Sequence, residues 1–184
     1  MKIYLDVDDT LADFKRYAQE RGVPPWTGTW YTTDPKTWTP EMKRIDQITR
    51  ELMEAEDFWP KIPLAPGAFE MIAAASLRAE TYLLTALPRF VNPDLLPRIK
   101  EQKIEYAARR LHFPTERVIV CNRPEKINYA MGGYMDIRGA WNPTPNLLVD
   151  DAEQNCEEWR AHGGIAIHYT GNASVLDEIK AVLL

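Results

Sequence analysis

The sequence predicts an α/β protein: a parallel sheet with helices on both faces and a small helical cap inserted after the first strand. Three observations point there. Short apolar runs alternate with helical patterns along most of the chain, which implies βαβ units. A stretch dense in proline and tryptophan interrupts that alternation early. Polar, chiefly acidic residues stand directly after the apolar runs, where such sheets bind ligands.

Each element has its own signal. Residues 2–7 are rich in Ile, Leu, Val and Tyr and end in acids, as a buried strand does. Leu11, Phe14, Tyr17 and Ala18 then share one helical face, and Gly22 stops that helix. Residues 23–40 hold Pro24, Pro25, Pro35 and Pro40 among Trp26, Trp30, Tyr31 and Trp38, a composition that forbids regular ladders. A helix over 41–55 carries the stripe Met42, Ile45, Ile48, Leu52 and Met53, and Phe58-Trp59-Pro60 ends it. These boundaries make 15–62 a small helical, aromatic-rich cap and leave 1–14 with 63–184 as the core. In the core, helices are expected over 67–79, 99–111, 153–161 and 174–184, the last with Ser174 as N-cap. Strands are expected over 81–85, 117–121, 146–149 and 165–168. Together they describe a Rossmann-like sheet.

Composition narrows the class. A chain of 184 residues suits one domain with a modest insert. Its 45% hydrophobic and 27% charged content is that of a globular protein. With 22 Lys and Arg against 27 Asp and Glu the net charge is −5, which argues against a nucleic-acid polymer as partner. Cys121 and Cys156 are too few for a disulfide framework and suit a reducing compartment. The first residues run into acids with no apolar targeting stretch, and no window of membrane-spanning length is apolar. A cytoplasmic protein without membrane contact is expected.

Four strand ends carry the candidate chemistry. The first gives Asp6, Asp8, Asp9 and Thr10; the second, Thr85; the third leads to Arg123 and Lys126; the fourth gives Asp150 and Asp151. Parallel strands bring these groups to one edge. Carboxylates so close require a counter-charge, and Mg2+ favours one or two carboxylates, waters and a substrate phosphate. Lys126 adds a fixed cation, and Thr85 a hydroxyl donor. Such a set fits phosphoryl transfer through an aspartyl phosphate. His112, His162 and His168 are dispersed and show no metal-ligand spacing.

Asp6-Val7-Asp8-Asp9-Thr10, followed in order by Thr85, Lys126 and Asp150-Asp151, resembles the motif series of the haloacid dehalogenase-like phosphatases. The run from Asp6 to Phe14, Phe58-Trp59, Pro66-Gly67-Ala68, the helix over 103–113 and Leu147 to Asp151 resemble, more narrowly, the 5′(3′)-deoxyribonucleotidases. The chain departs from them at Asp9, where Gly is usual, and at Ala86, where a second hydroxyl is common.

The resemblance implies a Mg2+-dependent phosphomonoester hydrolase acting on (deoxy)nucleoside 5′-monophosphates. Asp6 would be the nucleophile and Asp8 the acid and base. Thr85 and Lys126 would bind phosphate, and Phe14 would stack on the base. Asp6, the Asp8 carbonyl and Asp150 would hold the metal, with Asp151 supporting. Another small phosphomonoester, or phosphoryl transfer to an acceptor, fits the same set. A receiver-like signalling domain also gathers acids, a Thr and a Lys. Receivers, however, place the phosphorylated Asp after a later strand and carry no insert of this size.

Overall fold

The structure is a computed structural model that describes residues 1–26 and 34–182. Strand β1 (Lys2–Leu5) is followed by helix α1 (Phe14–Glu20), a 3-10 turn at Pro35–Thr37, α2 (Pro40–Met53) and the single turn α3 (Phe58–Lys61). The chain continues through α4 (Ala68–Ser76), β2 (Glu80–Ala86), α5 (Leu96–Arg110) and β3 (Val118–Cys121). A 3-10 segment over Arg123–Tyr129 leads into the hairpin β4 (Met131–Met135) and β5 (Trp141–Pro145). The closing elements are β6 (Leu147–Asp150), α6 (Glu153–Ala161), β7 (Ile165–His168) and α7 (Ser174–Val182).

Five strands form one sheet in the order β3-β2-β1-β6-β7, every pairing parallel. The two-residue alternation of strands sorts their side chains onto two faces. Ile3, Leu5, Leu83, Leu147 and Val149 face a core completed by Met71 of α4, Ile99 and Tyr106 of α5, and Ile179 of α7. Tyr4, Leu84 and Leu148 face the other way, onto Trp159 of α6 and Ala130. The expected α/β sheet, covered on both faces, is therefore the observed one.

The chain builds outward from β1 to β2 and β3, then returns to the other flank with β6 and β7. That reversal opens a crevice between the carboxyl ends of β1 and β6.

Local chemistry explains the element ends. Thr39 caps α2 by accepting from the Met42 amide at 3.2 Å, with Pro40 at the first helical position and Arg50 in the last turn. At the start of α7 the expectation fails. Ser174 is the first residue of the helix rather than its N-cap, and its hydroxyl lies within hydrogen-bond distance of Asn172 Oδ1 and Glu178 Oε1. The β4–β5 hairpin lies outside the elements read from sequence.

Within 15–62, Ala18, Val23, Trp26 and Ile45 make a small cluster of their own. Tyr17, Met53, Phe58 and Trp59 pack instead into the main core. Trp30 and Tyr31 fall outside the described residues.

Candidate active site

The loop after β1 is held rigidly by its own backbone. The Asp6 amide donates to the Val149 carbonyl of β6 at 2.9 Å, which extends the sheet ladder one residue past β1. The amides of Leu11 and Ala12 both donate to the Val7 carbonyl, and Asp9 N donates to Ala12 O at 2.8 Å. Turning this tightly puts Asp9 at φ 59°, the left-handed region where a glycine would be unstrained. Asp9 tolerates it because its Oδ1 accepts from the Lys15 amide at 2.6 Å, one of the otherwise unpaired donors at the start of α1.

Asp6, at the end of β1, and Asp150, at the end of β6, meet across the crevice. Lys126, on the 3-10 segment after β3, lies between them: its Nζ donates to Asp6 Oδ1 at 2.6 Å and to Asp150 Oδ2 at 2.7 Å. All three are buried. Burial works against the Lys126 charge, but the two carboxylates outweigh it and hold the ammonium well above the ordinary lysine range. Burial also raises Asp6, against the pull of Lys126 and with the push of Asp150 and Asp8, to about 7. Asp151 is raised well above the usual carboxylate range by burial and by the Asp150 and Asp6 charges. Burial lifts Asp9, too, to about 7.

Asp6, Asp150 and Asp151 each bring a carboxylate oxygen within 4.8 Å of the others. Their environments differ. Asp150 is fully enclosed and accepts from Ala152 N at 2.9 Å, from Asn155 Nδ2 at 2.8 and 3.0 Å, and from Lys126. Asp151 lines the open cavity beside Asp6 and Asp8. His168, one strand over, fixes the Asp151 backbone, its Nε2 lying 2.9 Å from the Asp151 carbonyl.

Asp8 and Thr85 come together on the opposite side of Asp6. The Thr85 hydroxyl is fully buried and donates to Asp8 Oδ2 at 3.4 Å, a weak contact. It does not line the cavity, where Ala86 takes the adjacent place. A residue that the sequence reading did not single out completes this side. Lys103, on α5, donates to Asp8 Oδ2 at 2.5 Å and to Thr85 Oγ1 at 3.0 Å. Its signal was present in the sequence: Ile99, Gln102, Lys103, Tyr106 and Ala107 form the buried stripe of α5, and a lysine on such a stripe needs a buried partner. Asn155 was also missed as a site residue, whereas Arg123 was named with Lys126 after the third strand. Arg123 lines the cavity and is tied to Asn155 Oδ1 at 2.8 Å and Glu158 at 3.1 Å.

Beyond the acids the cavity turns aromatic. Phe14, Trp26, Trp38, Trp59 and Phe90 line it. Phe14 stacks on Trp59 at 5.8 Å between ring centroids. Asp46 and Thr49 of α2, and Arg89 beside Phe90, are polar residues among these walls.

No family model and no curated protein matches this chain. Solved structures do. A haloacid dehalogenase-like family hydrolase from Xanthomonas campestris aligns over 100% of this chain and 96% of its own, at 15% identity and a TM-score of 0.56. A Bacillus subtilis protein described as a haloacid dehalogenase-like hydrolase bound to magnesium aligns over 99% and 97%, at 14% identity and a TM-score of 0.55. A likeness this distant in sequence is a likeness of fold. The chain has the fold of the haloacid dehalogenase-like hydrolases. An acidic cluster able to hold a metal ion sits at its strand ends.

Proposed function

We propose that this chain is a Mg2+-dependent phosphomonoester hydrolase working through an aspartyl phosphate on Asp6, with (deoxy)nucleoside 5′-monophosphates as its substrates. One observation carries the reading. Asp6, Asp8, Lys126 and the Asp150-Asp151 pair, scattered over most of the sequence, meet at the crevice between β1 and β6.

The donor set fits a hard cation. Five carboxylates, those of Asp6, Asp8, Asp9, Asp150 and Asp151, are faced by the ammonium groups of Lys103 and Lys126. Asp6 and Asp151 would hold Mg2+ with their oxygens, together with the Asp8 carbonyl. Asp150, its oxygens taken by four hydrogen bonds from three donor groups, would position the shell; this shifts weight from Asp150, the ligand the resemblance implied, to Asp151. When bound, the ion would neutralise charge on the phosphoryl oxygens and orient them.

The chain's own groups then divide the work. Oδ1 of Asp6 is engaged by Lys126, so Oδ2 is the oxygen that attacks phosphorus. As the Asp6 O–P bond forms, the ester P–O bond breaks and Asp8 delivers its proton to the departing oxygen. Water next attacks the acyl phosphate, Asp8 takes back a proton, and the Asp6 O–P bond breaks to release phosphate. Lys126 holds phosphoryl oxygens throughout, with Thr85 supporting through its buried network. The base would lie between Phe14 and the tryptophans; stacking of this kind is worth ~1–3 kcal/mol per base and tolerates different bases.

Phosphate release with Mg2+ across the nucleoside monophosphates, beside sugar phosphates and with a chelator control, tests the reading. Metal-dependent turnover favouring the nucleotides is expected. No release from any ester by folded protein rejects the hydrolase, and a preference for non-nucleotide esters rejects the substrate.

A further inference from the structure

Lys103 is the one buried ammonium near the site that the two chemical steps above leave without a task. Its side chain is 2% exposed and does not line the cavity, so it cannot touch substrate in this arrangement. It nevertheless meets three site groups at once. Nζ donates to Asp8 Oδ2 at 2.5 Å and to Thr85 Oγ1 at 3.0 Å, and lies over the Trp59 ring at 4.0 Å from its centroid.

We infer that Lys103 is a positioning residue that fixes which oxygen of Asp8 faces the substrate and locks that carboxylate to the aromatic wall. The inference rests on the hydrolase reading and deepens it.

The geometry is specific. An aspartate side chain turns about two torsions and offers two equivalent oxygens. Here Oδ2 is taken on the buried side by Lys103 and Thr85, while among the described residues no hydrogen bond reaches Oδ1. Asp8 also lines the cavity, its side chain 28% exposed. Oδ1 is thus the oxygen presented to the ester, held without the rotational search that a free carboxylate would need. The ammonium also sits against Trp59, whose ring stacks on Phe14, so the acid and the wall that would hold the base share one support. A well-placed cation on an amphipathic helix, at a position its neighbours fill with apolar groups, is what such a linkage requires.

Leaving-group dependence separates this role from a merely structural one. A p-nitrophenolate leaves without a proton; a nucleoside 5′-alkoxide needs one. Lys103→Met is therefore assayed on p-nitrophenyl phosphate and on a nucleoside 5′-monophosphate at saturating Mg2+. The nucleotide kcat is expected to fall about 100-fold and the p-nitrophenyl phosphate kcat less than about fivefold, KM changing little for either. Equal losses on both esters, or no loss, overturn the inference. If Lys103→Met does not fold, Lys103→Gln, which keeps a donor, is read by the same ratio. Wild-type protein inactive on both esters would fell the hydrolase instead. The positioning claim is then decided by a crystal structure of the Lys103 variant: an Asp8 carboxylate turned from its place upholds it, and unchanged Asp8 and Trp59 side chains overturn it.

Discussion

A carboxylate that attacks phosphorus has to be held near its target without being locked up by hydrogen bonds, and Asp6 meets both demands with one oxygen on Lys126 and one unengaged. Asp6→Asn keeps the shape and removes the proposed nucleophile. Steady-state phosphate release should fall about 1,000-fold or more, with the variant still folded by circular dichroism. Retention of the wild-type rate would take Asp6 out of its role. Lys126→Met should do something different. It leaves the enclosed Asp6 and Asp150 carboxylates facing each other without their cation, and breaking a buried pair in this way costs about 3–5 kcal/mol. A urea midpoint that does not move would contradict the arrangement described. Substitution at an exposed pair such as Lys61 and Asp57 gives the comparison, since both side chains are well exposed and such pairs contribute little.

At the scale of elements, most strands and helices were readable because their signals are local. β1, β2, β3, β6 and β7 are short β-branched or leucine-rich runs with polar ends, and those of β1, β2, β3 and β6 come together at the candidate site. The β4–β5 hairpin was not readable. Met131-Gly-Gly-Tyr-Met135 and Trp141-Asn-Pro-Thr-Pro145 carry the glycines and prolines that normally argue against strands. A tertiary contact explains their use: a Cβ on Gly133 would collide with the Trp141 indole and the Asn142 carbonyl, so the ring can lie across the ribbon only if that position is glycine. Lys103 escaped notice for a related reason. Its position on the α5 stripe was visible, but its partners Asp8 and Thr85 come from two other strand ends, and only the sheet order brings them together. A further glycine offers a test at this scale. Gly163, at φ 86°, ends α6, and Gly164 N donates to Trp159 O at 3.1 Å. A Cβ on Gly164 would run into the buried Trp159 indole, whose Nε1 donates to Asn146 O at 3.0 Å beside β6. Gly164→Ala should therefore destabilise by about 1–3 kcal/mol, as overpacking does, seen as a lower denaturation midpoint. A neutral result would mean that the α6–β7 corner yields more readily than its packing implies.

For the whole molecule, the raised carboxyl groups gathered at one edge of the sheet link stability to pH and, at the proposed site, to the metal. Asp6 and Asp9 lie near 7 in the folded protein against ordinary values of 3.8, and Asp151 is raised as well. Between about pH 4 and 7 the metal-free folded state thus binds more protons than the unfolded chain. Stability changes with pH in proportion to the protons bound by the unfolded state minus those bound by the folded state, a negative difference in this window. These groups therefore make the metal-free protein less stable as pH rises through it. Magnesium at the proposed site would bind the ionised carboxylates, so its stabilisation would grow over the same range. Melting curves at about pH 5 and about pH 8, with and without Mg2+ at constant ionic strength, read both effects. The metal-free midpoint is expected to fall toward the higher pH, and the increment on adding Mg2+ to be clearly larger there. An increment equal at both pH values would show that the cation does not engage these carboxylates. It would also remove the reason for gathering five of them at one edge of the sheet.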